Sequence, residues 1–257
     1  MMKRRILIAG ICGRMGARVA EVVSLEPDLE VAAGIESPDH QSAGGAVTFN
    51  GGSVRVFGGF SAAVPAADAL IDFTSARGTA EALAFCLERG LPLVTGTTAL
   101  GPEDLKNLKA AGGRIPVLVS PNMSAGVNLI DSILPEVRRM AGEACDVEIV
   151  EKHHRAKKDS PSGTAIRLAE TLAKGGGADG KSVVIHSVRA GDVVGEHTVI
   201  LGLRGERIEI KHVAESRDCF AHGAVACVRF LLGKQPGWYT MSDVLSGTPR
   251  QEREKRQ

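Results

Sequence analysis

Aromatic side chains make up only 4% of this chain, with one Trp and one Tyr among 257 residues. That scarcity removes the stacking platforms on which single-stranded nucleic acids are held. An excess of one charge is also lacking, since 31 Lys and Arg oppose 30 Asp and Glu for a formal net charge of +1. A nucleic-acid surface would show a basic surplus, so no nucleic acid is expected as a partner. The five cysteines (Cys12, Cys86, Cys145, Cys219, Cys227) are odd in number and form no Cys-x-x-Cys pair. They argue against a disulfide framework and a thiolate zinc site, and for reduced thiols in a cytoplasmic protein. No apolar run approaches the roughly 18 residues of a membrane span, so no membrane is expected either. The basic start Lys3-Arg4-Arg5 leads into an apolar run that stops at Gly13-Arg14 without a small-residue cleavage pattern.

Glycine, in contrast, is plentiful: 31 residues against roughly 18 expected from average usage. Surplus glycine marks positive φ or close approach of backbone to a ligand. Short apolar strands are predicted at 5–9, 29–35, 69–73, 91–95 and 115–120. Amphipathic helices alternate with them, the first carrying Met15, Val19, Val22 and Val23, followed by 79–89 and 102–111. This rhythm predicts an α/β, doubly wound parallel sheet. The polar, glycine-dense stretch from Pro38 to Gly59 reads as a loop with one short strand at 54–57. Beyond Pro121 come a helix near 127–140, a strand at 147–151, a glycine-rich gap at 175–177, and strands at 183–188, 197–203 and 207–213. Arg204-Gly205-Glu206 reads as a hairpin turn, so this part is a smaller α+β domain with a mixed sheet. A last apolar helix at 221–232 can pack back on the first domain, and the charged tail from Ser246 is expected to fray. The expected division is 1–123, completed by 217–257, with 124–216 as the second domain.

Gly10-Ile11-Cys12-Gly13-Arg14-Met15-Gly16 lies between the first strand and the first helix. In that setting Gly10, Gly13 and Gly16 suit a pyrophosphate at a helix N-terminus. The spacing is G-x-x-G-x-x-G, and a bare turn is the other explanation. Glu36 ends the second strand, where a carboxylate would accept the ribose hydroxyls or simply meet solvent. It favours NADH, while Ser37 and Arg14 leave NADPH open. Asp72-Phe73-Thr74-Ser75 and Thr95-Gly96-Thr97-Thr98 follow two further strands, at the edge where doubly wound sheets bind ligands. Helix capping is the plainer role for Asp72 and Thr74.

The run from Glu151 to Thr164 carries His153, His154 and four basic residues, then Ser162-Gly163-Thr164 ahead of a helix with Ala165, Leu168, Ala169 and Leu172 on one face. Free N–H groups and the dipole at that helix start attract an anion, and Lys157 and His154 add positive charge. A small molecule bearing one or more carboxylates fits. A solvated charged face is the bland alternative. Paired histidines can ligate metal, but the spacing of known metal motifs is missing and no metal is expected. His153 and His154 can reach one site only if the strand ends there. His186, His212 and His222 read as interior or interface histidines.

These residues resemble the 4-hydroxy-tetrahydrodipicolinate reductase (dihydrodipicolinate reductase) family. The resemblance runs from Ile6 to about Leu245 through the glycine loop, Ile71-Asp72-Phe73-Thr74, Gly96-Thr97-Thr98, Asn122-Met123-Ser124-x-Gly126-Val127-Asn128, the His153-His154 segment, Arg189-Ala190-Gly191-Asp192-x-x-Gly195-Glu196-His197, and Phe220-Ala221-x-Gly223-Ala224. It implies NAD(P)H-dependent reduction of a cyclic, unsaturated dicarboxylate to tetrahydrodipicolinate in the diaminopimelate route to lysine. It also implies a Rossmann-like domain, a second domain that binds substrate, and a homotetramer built through that domain's sheet. By position His153 is the implied general acid and Lys157 its partner, with His154, Ser162, Gly163 and Thr164 on the substrate carboxylates. Glu36, Gly96 and Thr98 would meet the cofactor, as would Gly10, Gly13, Arg14, Met15, Gly16, Phe73, Asn122 and Met123. Some members carry arginine where this chain has Ser37, so NADH or dual use is expected. Another two-domain Rossmann oxidoreductase would share the glycine loop but has no reason to carry His153-His154-x-x-Lys157. A dinucleotide-sensing regulator would need no acid.

Overall fold

The computed structural model describes residues 2–50, 52–142, 144–175 and 183–247. It divides into two compact units, Met1–Ser124 with Asp218–Gln257, and Ala125–Arg217. The first unit opens with β1 (Arg4–Ala9), α1 (Arg14–Leu25) and β2 (Leu29–Glu36), then β3 (Ala46–Phe49) and β4 (Gly52–Gly58). It continues through β5 (Ala69–Asp72), α2 (Ala76–Arg89), β6 (Leu93–Thr95), α3 (Pro102–Ala111) and β7 (Pro116–Val119). The second unit holds α4 (Ala125–Ala141), β8 (Asp146–His153), α5 (Gly163–Gly175), β9 (Val184–Arg189), β10 (Glu196–Leu203) and β11 (Glu206–Val213). The chain then returns to the first unit with α6 (Asp218–Leu231), β12 (Gly237–Tyr239) and α7 (Met241–Ser246).

The first unit is a Rossmann-like eight-stranded sheet in the order β12-β7-β6-β5-β1-β2-β4-β3. All neighbours are parallel except the antiparallel β3–β4 pair. Parallel strands are buried on both faces and so read as continuous apolar runs. Alternation along β1 shows why: Ile6 and Ile8 join a core with Val19 and Val23 of α1 and Ala224 and Val228 of α6. Leu7 and Ala9 join the opposite core with Leu83 and Phe85 of α2 and Leu108 of α3. The sheet order reverses at β1, which pairs with β2 on one side and β5 on the other. Doubly wound sheets bind ligands beyond the strand ends at such a reversal.

The second unit has a mixed sheet in the order β11-β10-β8-β9, with only β8 and β9 parallel. Leu134 of α4 and Leu168 and Leu172 of α5 pack on Ile149, Val199 and Leu201 of this sheet. Gly205, at φ +83°, closes the two-residue turn between Leu203 and Glu206.

Two differences from the sequence expectation have local causes. The glycine-dense stretch forms a hairpin, β3–β4, in which Val47 and Phe49 turn to the core. Asn50-Gly51 between them is a strong hairpin signal that glycine density obscured. Near the end, β12 is a three-residue strand beside β7, too short for periodicity to reveal. Thr240 then starts α7 with a reciprocal capping pair to Asp243. Most of the expected gap at 175–177 and of the tail from Ser246 lies outside the described residues.

The return of α6 contributes fully buried Leu231 to the first core. Leu231→Ala is expected to destabilise this unit by about 2–5 kcal/mol through lost burial and a residual cavity, measured as a lower denaturation midpoint in urea.

Candidate active site

The glycine loop is built on steric exclusion. Gly10 has φ +76°, and a Cβ there would come within 2.5 Å of the Phe73 carbonyl oxygen. A Cβ on Gly16 would lie 1.9 Å from the Gly10 carbonyl oxygen, so α1 can press against the turn only because this residue is glycine. Gly13 is the N-cap of α1 and supplies no side-chain cap, which leaves first-turn N–H groups for a ligand. Glu36, at the end of β2, accepts a hydrogen bond from the Cys12 N–H at 2.7 Å and so ties the loop to the strand end. A cavity of about 450 Å³ opens here, lined by Gly10, Gly13, Glu36, Ser37, Phe73 and Thr74 among others. An open helix start, a carboxylate at the second strand end and a turn that glycine alone lets pack this tightly together suit a dinucleotide.

The other expected cofactor residues fall in varied places. Arg14 is exposed and Met15 half-buried at the start of α1. The space beside Gly96 is taken by the Phe73 ring, which a Cβ on Gly96 would meet at 2.1 Å. Thr98 is exposed. Asn122 Oδ1 accepts the Ser124 N–H at 2.9 Å, and the Met123 side chain is buried in the core. Asp72 is fully buried and accepts from the hydroxyls of Thr74, Thr79, Thr95 and Thr97. It locks the two strand-end loops together, while Ser75 caps α2.

In the second unit, β8 ends at His153, which frees His154 from strict alternation. Glu151 and His153 share one face of the strand. Glu151 has no exposed surface and takes Nη1 and Nη2 of Arg189 at 2.8 and 2.6 Å. Its Oε2 meets His153 Nδ1 at 2.5 Å, and its Oε1 accepts the Ser162 N–H at 3.2 Å. Burial pushes the Glu151 carboxyl up, but hydrogen bonds from Arg189, Ser187 and His153 outweigh it and bring it down to about 2. Ser162 Oγ accepts the Ala165 N–H at 3.2 Å at the start of α5 and meets His197 Nε2 at 3.1 Å. Gly163 has open space where a Cβ would sit, so the helix start is uncrowded, and Thr164 is half-buried beside it. Lys157 Nζ lies 2.8 Å from Asp159, and the His154 carbonyl accepts the Lys157 N–H.

His197 packs edge-on against His153, ring centroids 5.2 Å apart. Burial, then the repulsion a protonated His153 would exert, lowers its pKa to about 4, so it is neutral at pH 7. His153 is also lowered from 6.5, chiefly by burial, against the opposing pull of Glu151. With Nδ1 held by a carboxylate, His153 can carry an exchangeable proton on Nε2, and the same carboxylate reaches the α5 helix start through the Ser162 N–H.

Sequence reasoning assigned no role to Glu151, Arg189 or His197. The period-2 alternation of Glu151 with His153, and of His197 with Val199, carried that signal. His212 is half-buried, whereas His222 is exposed on α6 and His186 pairs with Glu148 at half exposure, so neither is interior in the chain. Among the described residues no group of three or more His, Cys, Asp or Glu is placed to hold a metal ion. Nor is any helix among them long and apolar enough to cross a membrane.

Comparison with known proteins agrees in both units. The family model described as "Dihydrodipicolinate reductase, N-terminus" matches residues 4–123, and "Dihydrodipicolinate reductase, C-terminus" matches 126–245. The 4-hydroxy-tetrahydrodipicolinate reductase of Syntrophobacter fumaroxidans is 38% identical, covering 94% of this chain and 98% of the relative. That of Chromobacterium violaceum is 40% identical, covering 95% and 99%. Among solved structures, a dipicolinate-bound dihydrodipicolinate reductase from Paenisporosarcina sp. TG-14 shares the fold, with a TM-score of 0.75 at 23% identity over 93% of this chain and 98% of that one. With a parallel sheet that reverses at β1 and a mixed sheet that ends its β8 strand on His153, the chain belongs to the dihydrodipicolinate reductase family.

Proposed function

We propose that the chain is an NAD(P)H-dependent oxidoreductase that reduces 4-hydroxy-tetrahydrodipicolinate (dihydrodipicolinate) to tetrahydrodipicolinate in the diaminopimelate route to lysine. The observation that carries this reading is His153, held at Nδ1 by buried Glu151 beside the open start of α5. When bound, a reduced nicotinamide supplies hydride. Gly10, Gly13, Gly16 and Glu36 would hold the dinucleotide, with Arg14, Met15, Phe73, Gly96, Thr98, Asn122 and Met123 shaping its surroundings.

Hydride addition to an electron-poor C=C–C=N system leaves negative charge on the ring. His153 quenches it by giving up the Nε2 proton as general acid, and Lys157 supports that charge transfer. Ser162, Gly163, Thr164 and His154 fix the substrate carboxylates, using the α5 N–H groups and dipole. A pKa below 6.5 makes the protonated form of His153 scarcer as pH rises, so activity should decline toward alkaline pH. The uncovered face of the four-stranded sheet, with Val184 49% and Val188 39% exposed, supports assembly as a homotetramer. A cytoplasmic place agrees with five free cysteines.

Three measurements bear on this reading. An assay fed by the product of dihydrodipicolinate synthase should show nicotinamide absorbance falling, and no oxidation of NADH or NADPH would refute the activity. His153→Ala should cut turnover by about 10²–10⁴-fold with little change in cofactor affinity, whereas Lys157→Ala should damage both turnover and substrate binding; wild-type rates in both variants would defeat the residue roles. Steady-state kinetics with each cofactor should show NADH preferred or both used, because Ser37 follows Glu36. A strong preference for NADPH would reverse that assignment.

A further inference from the structure

We propose that Glu151 is the positioning residue of this site: its carboxylate holds the His153 ring by Nδ1, leaves Nε2 to carry the transferred proton, and ties that ring to the helix start that receives the substrate. The inference rests on the reading of His153 as the acid and gives that acid its orientation. One oxygen, Oε2, meets His153 Nδ1 at 2.5 Å, and the other, Oε1, accepts the backbone N–H of Ser162 at 3.2 Å. A single rigid group therefore spans the acid and the anion-binding turn. Arg189 clamps both oxygens and also donates to the Asp159 carbonyl at 2.7 Å, which anchors the approach to that turn.

The groups facing His153 come from four segments: Glu151 on its own strand, Arg189 from β9, His197 from β10 and Lys157 from the following loop. Only Glu151 stabilises the imidazolium, while burial, Lys157 and Arg189 oppose it. With the carboxyl brought down to about 2, Glu151 is charged throughout the working range and does not titrate there itself. A carboxylate on one ring nitrogen selects the tautomer and leaves the other nitrogen for chemistry. The geometry next to Nε2 is close: a Cβ on Gly195 would approach it to 3.1 Å.

Glu151→Gln keeps the shape and removes the charge. An acid must be protonated, so turnover falls as pH rises through its pKa. In the variant that limb should move to lower pH by about one unit or more. Turnover at pH 7 should fall about 10- to 100-fold, a share of what a positioned acid contributes, with the Kd for NADH within about twofold of wild type. A purely structural Glu151 would lower the melting temperature without moving the limb; an unmoved limb in folded Glu151→Gln, with His153→Ala inactive, overturns this inference alone. Wild-type turnover by His153→Ala overturns the proposed acid and this inference together. If Glu151→Gln fails to fold, ¹⁵N NMR of the wild-type histidines above the limb decides, since the Nδ1–H tautomer of His153 is expected and the Nε2–H tautomer overturns the inference.

Discussion

A carboxylate without any exposed surface has to be paired, and the pairing of Glu151 with Arg189 is the constraint on which the second unit's site depends. Removing one partner of a buried pair leaves an uncompensated charge that costs about 3–5 kcal/mol. The donors to Glu151 come from three places in the chain: the same strand, β9, and the turn before α5. Each must arrive in register for the charge to be satisfied. The contacts that satisfy this buried charge are therefore the same ones that fix the geometry of the proposed site.

The first unit meets its ligand by a different principle. There the site is defined by missing atoms, since Gly10 and Gly16 bring backbone against backbone where any side chain would collide. Asp72 complements this with hydrogen bonds, gathering four threonine hydroxyls so that the loops after β5 and β6 stay at fixed separation. Space is rigid in one place and polarity in the other, and both lie at the carboxyl ends of the parallel strands.

Much of this was readable from residue order where physics is local. The β1, β5 and β6 runs are apolar because both sheet faces are covered, and α3 starts at Pro102 and ends at Ala111 as its capping signals require. The site's local parts were equally plain, since the glycine loop and the Ser162–Thr164 turn each sit within a few residues of a helix start. Glu151 and Arg189 are 38 positions apart and meet only because β8 and β9 pair His153 with Arg189 in register. Nothing in either segment alone announces that pairing. The β3–β4 hairpin and β12 were hidden for opposite reasons, one by glycine density and the other by brevity.

The order of elements along the chain has a consequence for synthesis. The second unit is spliced between β7 and α6, yet α6 supplies Ala221, Ala224, Val225, Val228 and Leu231 to a core whose other face is β1 and α1. A ribosome therefore releases the start of that core long before the helix that seals it. Until then Ile6, Ile8 and Val23 lack their cover, while the intervening unit, contiguous in the chain, can already assemble its own sheet. The nascent chain is thus expected to keep part of this apolar sheet face, the part that α1 leaves to α6, exposed for most of translation, the kind of surface that holding chaperones recognise.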